Sequence, residues 1–129
     1  MKSNHKTLTA ALAGLAIGAA GATAIHAQQN RTPPGFVVAE LDVSDPATFQ
    51  KYAAQVPGTQ APFNARYLVR GGKIHPVEGE PPKRIVITLF DSAEKALEWE
   101  NSPAYEAIKP LRHSSAKSRI YVVEGVAPQ

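Results

Sequence analysis

Residues 67–90 constrain the fold most, because two apolar runs there flank a middle segment rich in glycine, proline and charge. Within 84–90, Ile85, Ile87 and Leu89 alternate with the remaining side chains, which is the period of a β-strand with two unlike faces. The stretch is therefore predicted to form a long β-hairpin. We expect the three aliphatic residues to face the helices of the domain, and the opposite side of the strand to face a second subunit.

Similar alternation and capping signals divide the rest of the chain into strands and helices. A short oxygen-bearing side chain before a proline indicates a helix start, and a Pro-Gly pair indicates an end. Strands are predicted at 36–43, 65–70, 84–90 and 119–124, with a short edge strand at 73–78. A first helix is predicted from 46 to about Val56, where Pro57-Gly58 ends it, and a second helix is capped by Asp91 or Ser92. A short third helix begins at Ser102-Pro103 and is followed by a polar loop at 113–118.

The order strand, helix, strand, strand, helix, strand predicts an α+β fold. It is the ferredoxin-like βαββαβ arrangement, a four-stranded antiparallel sheet with the helices on one face. On the predicted alternation the other face carries Phe36, Val38, Leu68, Val86, Phe90, Tyr121 and Val123, with Glu40, Arg66, Arg70 and Arg84. An apolar patch of this size is more than a monomer usually exposes. A homodimer that pairs the two open faces is therefore predicted.

Residues 1–27 have the pattern of a secretory signal peptide. Lys2 and Lys6 give a basic start, the run 8–25 carries no charge, and Ala27 is a small residue at the cleavage position. The alternative is a retained membrane anchor, since the run is about long enough to span a bilayer. We expect cleavage after Ala27, no stable anchor afterwards, and a protein exported to the periplasm or the cell exterior. A linker at 28–35, a domain at 36–126 and a tail at 127–129 then remain.

Composition excludes several classes of function. Removal of Lys2 and Lys6 lowers the formal net charge from +3 to +1, and the two signs of charge are interspersed, so nothing indicates a nucleic-acid site. The chain has no cysteine, which excludes disulfides and thiolate chemistry. No histidines and carboxylates occur at metal-ligand spacing. Neither a metal nor another cofactor is predicted.

Five groups of short motifs follow one another in a fixed order, namely DVSDPATFQKY (42–52), RYLVRGG (66–72), VEG with RIVITLFDS (77–79 and 84–92), SPAYEAIKPLR (102–112) and VVEG (122–125). In this order and spacing they resemble the domain of unknown function 1330 family. The resemblance covers nearly all of the predicted mature chain. That family is similar to the dimeric α/β-barrel superfamily, in which ferredoxin-like subunits pair their sheets. The resemblance therefore implies a dimeric barrel.

The resemblance does not imply any one reaction. Relatives in the wider superfamily include cofactor-independent monooxygenases, lactone isomerases, haem-dependent enzymes and ligand-binding proteins without catalysis, and fold does not choose among them. This chain also departs from the family pattern in two places. Asn64-Ala65 replaces a Gly-Gly pair, and Ala104 and His113-Ser114-Ser115 replace the usual residues of the short helix.

Three arginines are candidate ligand-binding residues. Arg70 and Arg84 are predicted on the open face, where a guanidinium can hold a carboxylate or enolate through two parallel hydrogen bonds. The alternative for both is a structural ion pair with Glu40 or Glu78. Arg112, in the last turn of its helix, either contacts a ligand or bonds the carbonyls of the helix end.

Four other side chains are candidates of different kinds. His75 is either a general base or haem ligand, or an exposed residue of an edge strand. Trp99 and Tyr105 either line a pocket between helices and sheet or only fill the core. Tyr121, on the open face, either orients a small acid or lies in the dimer seam. His113, in the predicted polar loop, is expected to be solvated.

These observations leave two functional hypotheses. In the first, a homodimeric α/β-barrel protein binds a small organic molecule in a sheet-lined cavity. If that protein is an enzyme, cofactor-independent monooxygenase or isomerase chemistry would use Arg70 for negative charge and Tyr121 or His75 for a proton. In the second, the charges only fix the register of a non-catalytic interaction or structural module. A hollow lined by Arg70, Tyr121 and Trp99 favours the first, and a filled sheet face favours the second.

Overall fold

Four antiparallel strands and three helices form the fold in a computed structural model that describes residues 31–129. The predicted signal peptide, residues 1–27, lies outside the described residues. The described elements belong to one compact unit, Pro33–Pro128. They are β1 (Gly35–Val43), α1 (Pro46–Gln60), a short 3-10 turn (Ala61–Phe63), β2 (Arg66–Arg70), β3 (Arg84–Phe90), α2 (Ala93–Glu100), α3 (Pro103–Ser115) and β4 (Ala116–Glu124).

The strands lie in the order β2-β3-β1-β4, and every neighbouring pair is antiparallel. This is the ferredoxin-like topology, so the predicted α+β fold class is confirmed. The predicted hairpin is also confirmed, because β2 pairs with β3. The predicted edge strand at 73–78 is wrong. The segment between β2 and β3 contains no strand, since its prolines and glycines remove ladder donors and favour turns.

A side-chain oxygen caps the first turn of each helix, as the sequence predicted for α1 and α3, and Ser92 is the cap of α2. The caps accept hydrogen bonds from backbone N–H groups, Asp45 from Thr48 at 3.2 Å, Ser92 from Lys95 at 3.1 Å and Ser102 from Tyr105 at 3.4 Å. These bonds satisfy donors that a helix start leaves without a partner. They fix where each helix begins and hence which side chains face the sheet.

Helix α1 continues through Pro57, whereas the sequence predicted its end there. Proline lacks an N–H and so deprives only one carbonyl of its partner. The last turn is held instead by Thr59, which is buried. Its hydroxyl donates to the Val56 carbonyl at 2.7 Å and accepts a hydrogen bond from the Trp99 indole at 3.0 Å. Tertiary contacts therefore keep the helix going to Gln60.

Helix α3 also extends further than predicted, because residues 113–115 are helical and residues 116–118 belong to β4. Ser115 is fully buried. Its hydroxyl donates to the Leu111 carbonyl at 2.6 Å, and its own carbonyl accepts the backbone N–H groups of Ser44 and Asp45. Ser115, one of the serines that suggested a loop, instead connects the end of α3 to the residues that precede α1.

The face assignment of β3 is the main correction to the prediction. Register places Arg84, Val86 and Thr88 opposite core residues of β1, and Phe90 is buried with only 1% of its surface exposed. These side chains therefore face the helices. Residues Ile85, Ile87 and Leu89 lie on the open face, opposite Glu40, Val38 and Phe36. The alternation was read correctly, but the two faces were exchanged.

Strand β2 contains an irregularity that also moves Arg70. Tyr67 pairs with Thr88 and Val69 with Ile87, so that Leu68 has no opposite residue. An extra residue of this kind is a β-bulge, which reverses the alternation beyond it. Arg70 consequently pairs with Val86 and lies on the helix face, not on the open face as predicted.

The core lies between the helices and one face of the sheet. It consists of Val37, Leu41, Phe49, Tyr52, Val56, Phe90, Ala96, Trp99, Tyr105, Ile108 and Ala116. Among residues 31–129, no helix lies on the opposite face of the sheet, which carries mainly apolar side chains. Among the described residues, no helix has both the length and the hydropathy needed to cross a membrane.

Candidate functional site

A cavity lies inside the domain, between α1, α2 and the helix face of the sheet. The cavity has a volume of about 50 Å³. Most of its wall is aliphatic or aromatic, and the polar part comes from two arginines and a few buried groups. The lining residues are Val37, Ala39, Leu41, Phe49, Tyr52, Ala53, Val56, Gln60, Tyr67, Arg70, Arg84, Val86, Thr88, Trp99, Tyr105 and Ile120.

Arg70 and Arg84 bring positive charge to this apolar space. The bulge in β2 and the register of β3 place both on the helix face, at neighbouring positions of paired strands. Arg70 Cζ lies 4.6 Å from the ring centroid of Tyr67, and Arg84 Cζ lies 5.5 Å from that of Phe49. Neither guanidinium takes part in an ion pair within residues 31–129. Both are therefore available to an anion.

Arg84 has a further unsatisfied group. Its Nε is buried and has no hydrogen-bond partner in the part of the chain that the structure describes. A buried donor without a partner is costly, which makes an external acceptor favourable at this position. Within the described residues of one chain, neither arginine forms an ion pair with Glu40 or Glu78, and Glu40 accepts hydrogen bonds from Arg119 on the open face. The alternative of a pair across a dimer stays a prediction.

Two tyrosine hydroxyls are paired at the inner wall of the cavity. Tyr52 Oη and Tyr105 Oη are 2.7 Å apart and buried. Burial raises the pKa of both phenols above the ordinary value of 10.0, although nearby Arg112 acts in the opposite direction. Both groups are therefore neutral near pH 7. They can donate or share a hydrogen bond but do not act as bases there.

The aromatic rings around the cavity form a continuous series. Trp99 stacks on Tyr105 with centroids 4.0 Å apart and an interplanar angle of 12°, and the ring centroid of Phe90 lies 5.5 Å from that of Trp99. The indole N–H is already used by Thr59. Trp99 thus presents a largely apolar surface to the cavity, and the ring positions are fixed by one another.

Tyr67 links the arginines to the aromatic wall. Burial raises its pKa, while the positive charges of Arg70 and Arg84 lower it by a smaller amount. All three side chains are thus within electrostatic reach of one another at the strand β2 side of the cavity.

Arg112 lies outside the cavity wall. Only 7% of its surface is exposed, and its Nη1 donates to Ser118 Oγ at 2.6 Å. Its Cζ is 6.0 Å from the ring centroid of Tyr52. Arg112 thus packs against the Tyr52 ring and connects α3 to β4 through its hydrogen bond to Ser118.

The remaining predicted candidates are not at the cavity. His75 is exposed in the segment between β2 and β3, and His113 is exposed at the end of α3. Tyr121 lies on the open face, where it is 47% exposed and donates to Glu40 at 3.2 Å. The structure therefore brings together Arg70, Arg84, Trp99 and Tyr105, and it separates His75 and Tyr121 from them.

Sequence reasoning did not identify Tyr52, Tyr67, Gln60 and Thr88 as lining residues. A signal existed for Tyr52, because a hydroxyl on the apolar stripe of a helix needs a buried partner. For Tyr67 and Thr88 the faces of β2 and β3 had to be known first. The described residues include no group of three histidine, cysteine or acidic side chains able to hold a metal ion.

Comparisons with known proteins agree with this fold. The family model described as "Domain of unknown function (DUF1330)" matches residues 34–126. No curated protein sequence matches the chain.

Several solved structures resemble this one. The RPA0582 protein of unknown function from Rhodopseudomonas palustris is 13% identical, with a TM-score of 0.59, over 76% of this chain and 86% of that chain. A dimeric ferredoxin-like protein of unknown function from Thermobifida fusca is 11% identical, with a TM-score of 0.51, over 73% of this chain and 92% of that chain. SnoaB, a cofactor-independent oxygenase from Streptomyces nogalater, has a TM-score of 0.49 at 11% identity, over 76% of this chain and 96% of that chain, which is too weak to bear on function. At these identities the similarities show the fold alone.

Proposed function

Because this chain belongs to the DUF1330 family, which is defined without a function, we propose one from the geometry: the protein binds a small organic molecule in the cavity between the helices and the sheet. The observation that carries this proposal is the position of Arg70 and Arg84. Both line an apolar cavity, and neither has an ion-pair partner among the described residues.

An arginine in such a place is a binding group more readily than a structural one. Arg84 is half-buried and Arg70 is exposed, and the buried Nε of Arg84 has no partner among the described residues, which is unfavourable unless an acceptor is supplied. Ligand pockets commonly combine apolar walls with a few polar groups that orient the ligand. The cavity has this composition, with arginines on one side and stacked rings on the other.

The geometry supports binding more directly than catalysis. The cavity wall, as described, contains no histidine, aspartate or glutamate, which are the usual groups for proton transfer near pH 7. The paired phenols of Tyr52 and Tyr105 have raised pKa values and remain protonated. Retention of a molecule, not its conversion, is therefore the proposed activity.

We also propose that two copies pair through the open sheet face. Phe36, Val38, Ile87 and Leu89 line the central strands there, with Tyr121 beside them. A patch of this kind commonly marks an interaction site. At its edge, Arg119 and Tyr121 hold the Glu40 carboxylate, so that a second copy would cover a paired charge. The dimeric description of the Thermobifida fusca protein is consistent with this proposal.

The second candidate function rests on the same face. If the open face is the functional surface and the cavity is only a packing defect, the protein is a dimeric interaction module. The unpaired arginines favour the ligand-binding function over this one, because a packing defect gives no reason for charge at its wall.

Export to the periplasm or cell exterior is likewise proposed. It is supported by the basic start and the uncharged run within residues 1–27. N-terminal sequencing of the protein from its own host is expected to begin near Gln28. An intact Met1 would contradict cleavage.

Native mass spectrometry of the protein purified from its own host tests the binding function. We expect a small molecule that stays bound in gentle conditions and leaves on collisional activation. Ala53→Leu places extra bulk in the cavity wall and should abolish retention. Ala54→Leu, an exposed position on the same helix, should not. Equal retention of the molecule by the two variants would contradict the proposal.

A further inference from the structure

The charge of the cavity narrows the chemistry of the ligand. Arg70 and Arg84 supply two guanidinium groups, and the buried Arg84 Nε is a donor without a partner in the described chain. A planar fork of N–H donors matches a carboxylate, which accepts two parallel hydrogen bonds. Among the residues that the structure describes, no acidic side chain lines the cavity and competes with a ligand for the arginines. The ligand should therefore carry one carboxylate.

The volume of the cavity limits the rest of the ligand. The cavity volume is about 50 Å³, whereas an engineered apolar cavity that admits benzene has a volume of about 150 Å³. An aromatic ring therefore does not fit unless side chains move. A short carbon chain does fit, with its acid group at the arginines.

The inner wall favours hydrocarbon over further polar groups. The Tyr52 and Tyr105 hydroxyls bond each other at 2.7 Å, and the Trp99 indole bonds Thr59 at 3.0 Å. These contacts leave one tyrosine O–H of the pair as an uncommitted donor, so a ligand with several hydroxyl groups would gain little from them. A second carboxylate would be buried without a counter-ion.

On the basis of the binding function proposed above, we propose that the ligand is a short-chain monocarboxylate of roughly two to four carbon atoms, whose carboxylate contacts Arg70 and Arg84 and whose hydrocarbon end occupies the cavity. The single tryptophan of the chain lies in the wall, so its fluorescence can report binding. Isothermal titration calorimetry supplies an independent signal.

The test is a chain-length series on the wild-type protein at constant ionic strength, using acetate, propionate, butyrate, hexanoate and benzoate. The affinity is expected to be highest at propionate or butyrate and to fall at hexanoate and benzoate. Propionamide, which has the same shape without the charge, should bind at least about tenfold more weakly. An affinity that rises steadily with chain length, or equal binding of propionamide, would overturn the inference.

Substitutions then locate the two ends of the ligand. Arg70→Met and Arg84→Met should each weaken propionate binding by about tenfold and leave propionamide binding unchanged. Arg66→Met is the matched control, because Arg66 is on the same strand as Arg70 but pairs with Leu89 on the open face. Ile120→Ala enlarges the cavity and should shift the preferred chain length upwards. If all of these variants fold and keep the wild-type preference for propionate over propionamide and for chain length, the acids bind elsewhere on the protein and the inference is wrong.

The two proposals fail in different ways. If none of the acids binds but native mass spectrometry shows another retained molecule, the monocarboxylate inference is wrong and the binding function stands. If neither experiment detects any ligand, both are wrong.

Discussion

The guanidinium group of Arg84 occupies the space beside the α-carbon of Gly71, so that a β-carbon at residue 71 would lie 2.5 Å from Arg84 Nη1. Gly71 also has a φ of +66°, a conformation that side chains other than glycine rarely adopt. Its N–H donates to the Ile85 carbonyl at 3.0 Å, which holds the end of β2 against the start of β3. The glycine therefore leaves room for the guanidinium group of Arg84 at the end of β2.

Replacement of this glycine tests the arrangement. Gly71→Ala is expected to lower the free energy of unfolding by about 1–3 kcal/mol, since it adds both backbone strain and a contact with Arg84. Urea unfolding measures the change. Gly72→Ala is the control, because a β-carbon there meets nothing within 4 Å, and it should change stability by less than about 0.5 kcal/mol. Equal effects of the two substitutions would contradict the close approach.

The buried hydroxyl pair should behave as one unit. Tyr52→Phe or Tyr105→Phe alone leaves the other hydroxyl without its partner and should cost about 1–3 kcal/mol. The double variant should cost less than the sum of the two, because it removes both groups together. A double-mutant cycle measured by urea unfolding gives the coupling. Strict additivity would show that the two hydroxyls do not bond in solution.

The same tyrosines predict how stability depends on pH. Burial raises their pKa values above 10.0. As the pH rises, the two phenols therefore stay protonated in the folded state after they have begun to ionise in the unfolded state. Their contribution is therefore complete below pH 10.0 and is lost as the pH rises above it. Unfolding measured between neutral and strongly alkaline pH should show this decline. The variant with both tyrosines replaced by phenylalanine should decline less steeply, and an identical slope would contradict the assignment.

The open sheet face predicts a specific way to separate the proposed dimer. Ile87→Lys places a charge at the centre of that face and should halve the mass measured by size exclusion with light scattering, because an unpaired charge is unfavourable in an apolar interface. Leu97→Lys, at a residue 51% exposed on helix α2, should leave the mass unchanged. A wild-type protein that is monomeric at micromolar concentration would contradict pairing through this face.

The sequence predicted the order of elements because alternation, caps and turn residues are local signals. It predicted the faces of β1 and β4 correctly, since each has one clearly more apolar side. Strand β3 has apolar residues on both sides, and Ile85, Ile87 and Leu89 are the more hydrophobic set. Hydrophobicity alone therefore assigned them to the core. They are on the open face instead, where no helix of the described residues covers them.

The candidate site was predicted in its residue types but not in its place. Arginines and aromatic residues were identified from their chemistry, yet the arginines were placed on the wrong side of the sheet. For Arg84 the cause was the exchanged faces of β3. For Arg70 the cause was the bulge at Leu68, which depends on pairing with another strand and leaves no mark in the local sequence. The contact between the Tyr52 hydroxyl and that of Tyr105 on α3 was not predicted, because it joins two helices that are far apart in the sequence.

The bulge at Leu68 decides which face of the sheet Arg70 reaches. If residues 67–70 paired with β3 in regular alternation, without the bulge, the side chain of Arg70 would lie on the open face and not on the helix face, although the arginine itself would be unchanged. A shift of this kind alters charge placement on both sides of the sheet at once. When related chains are compared, the pairing of β2 with β3 is therefore as informative as the presence of the arginine.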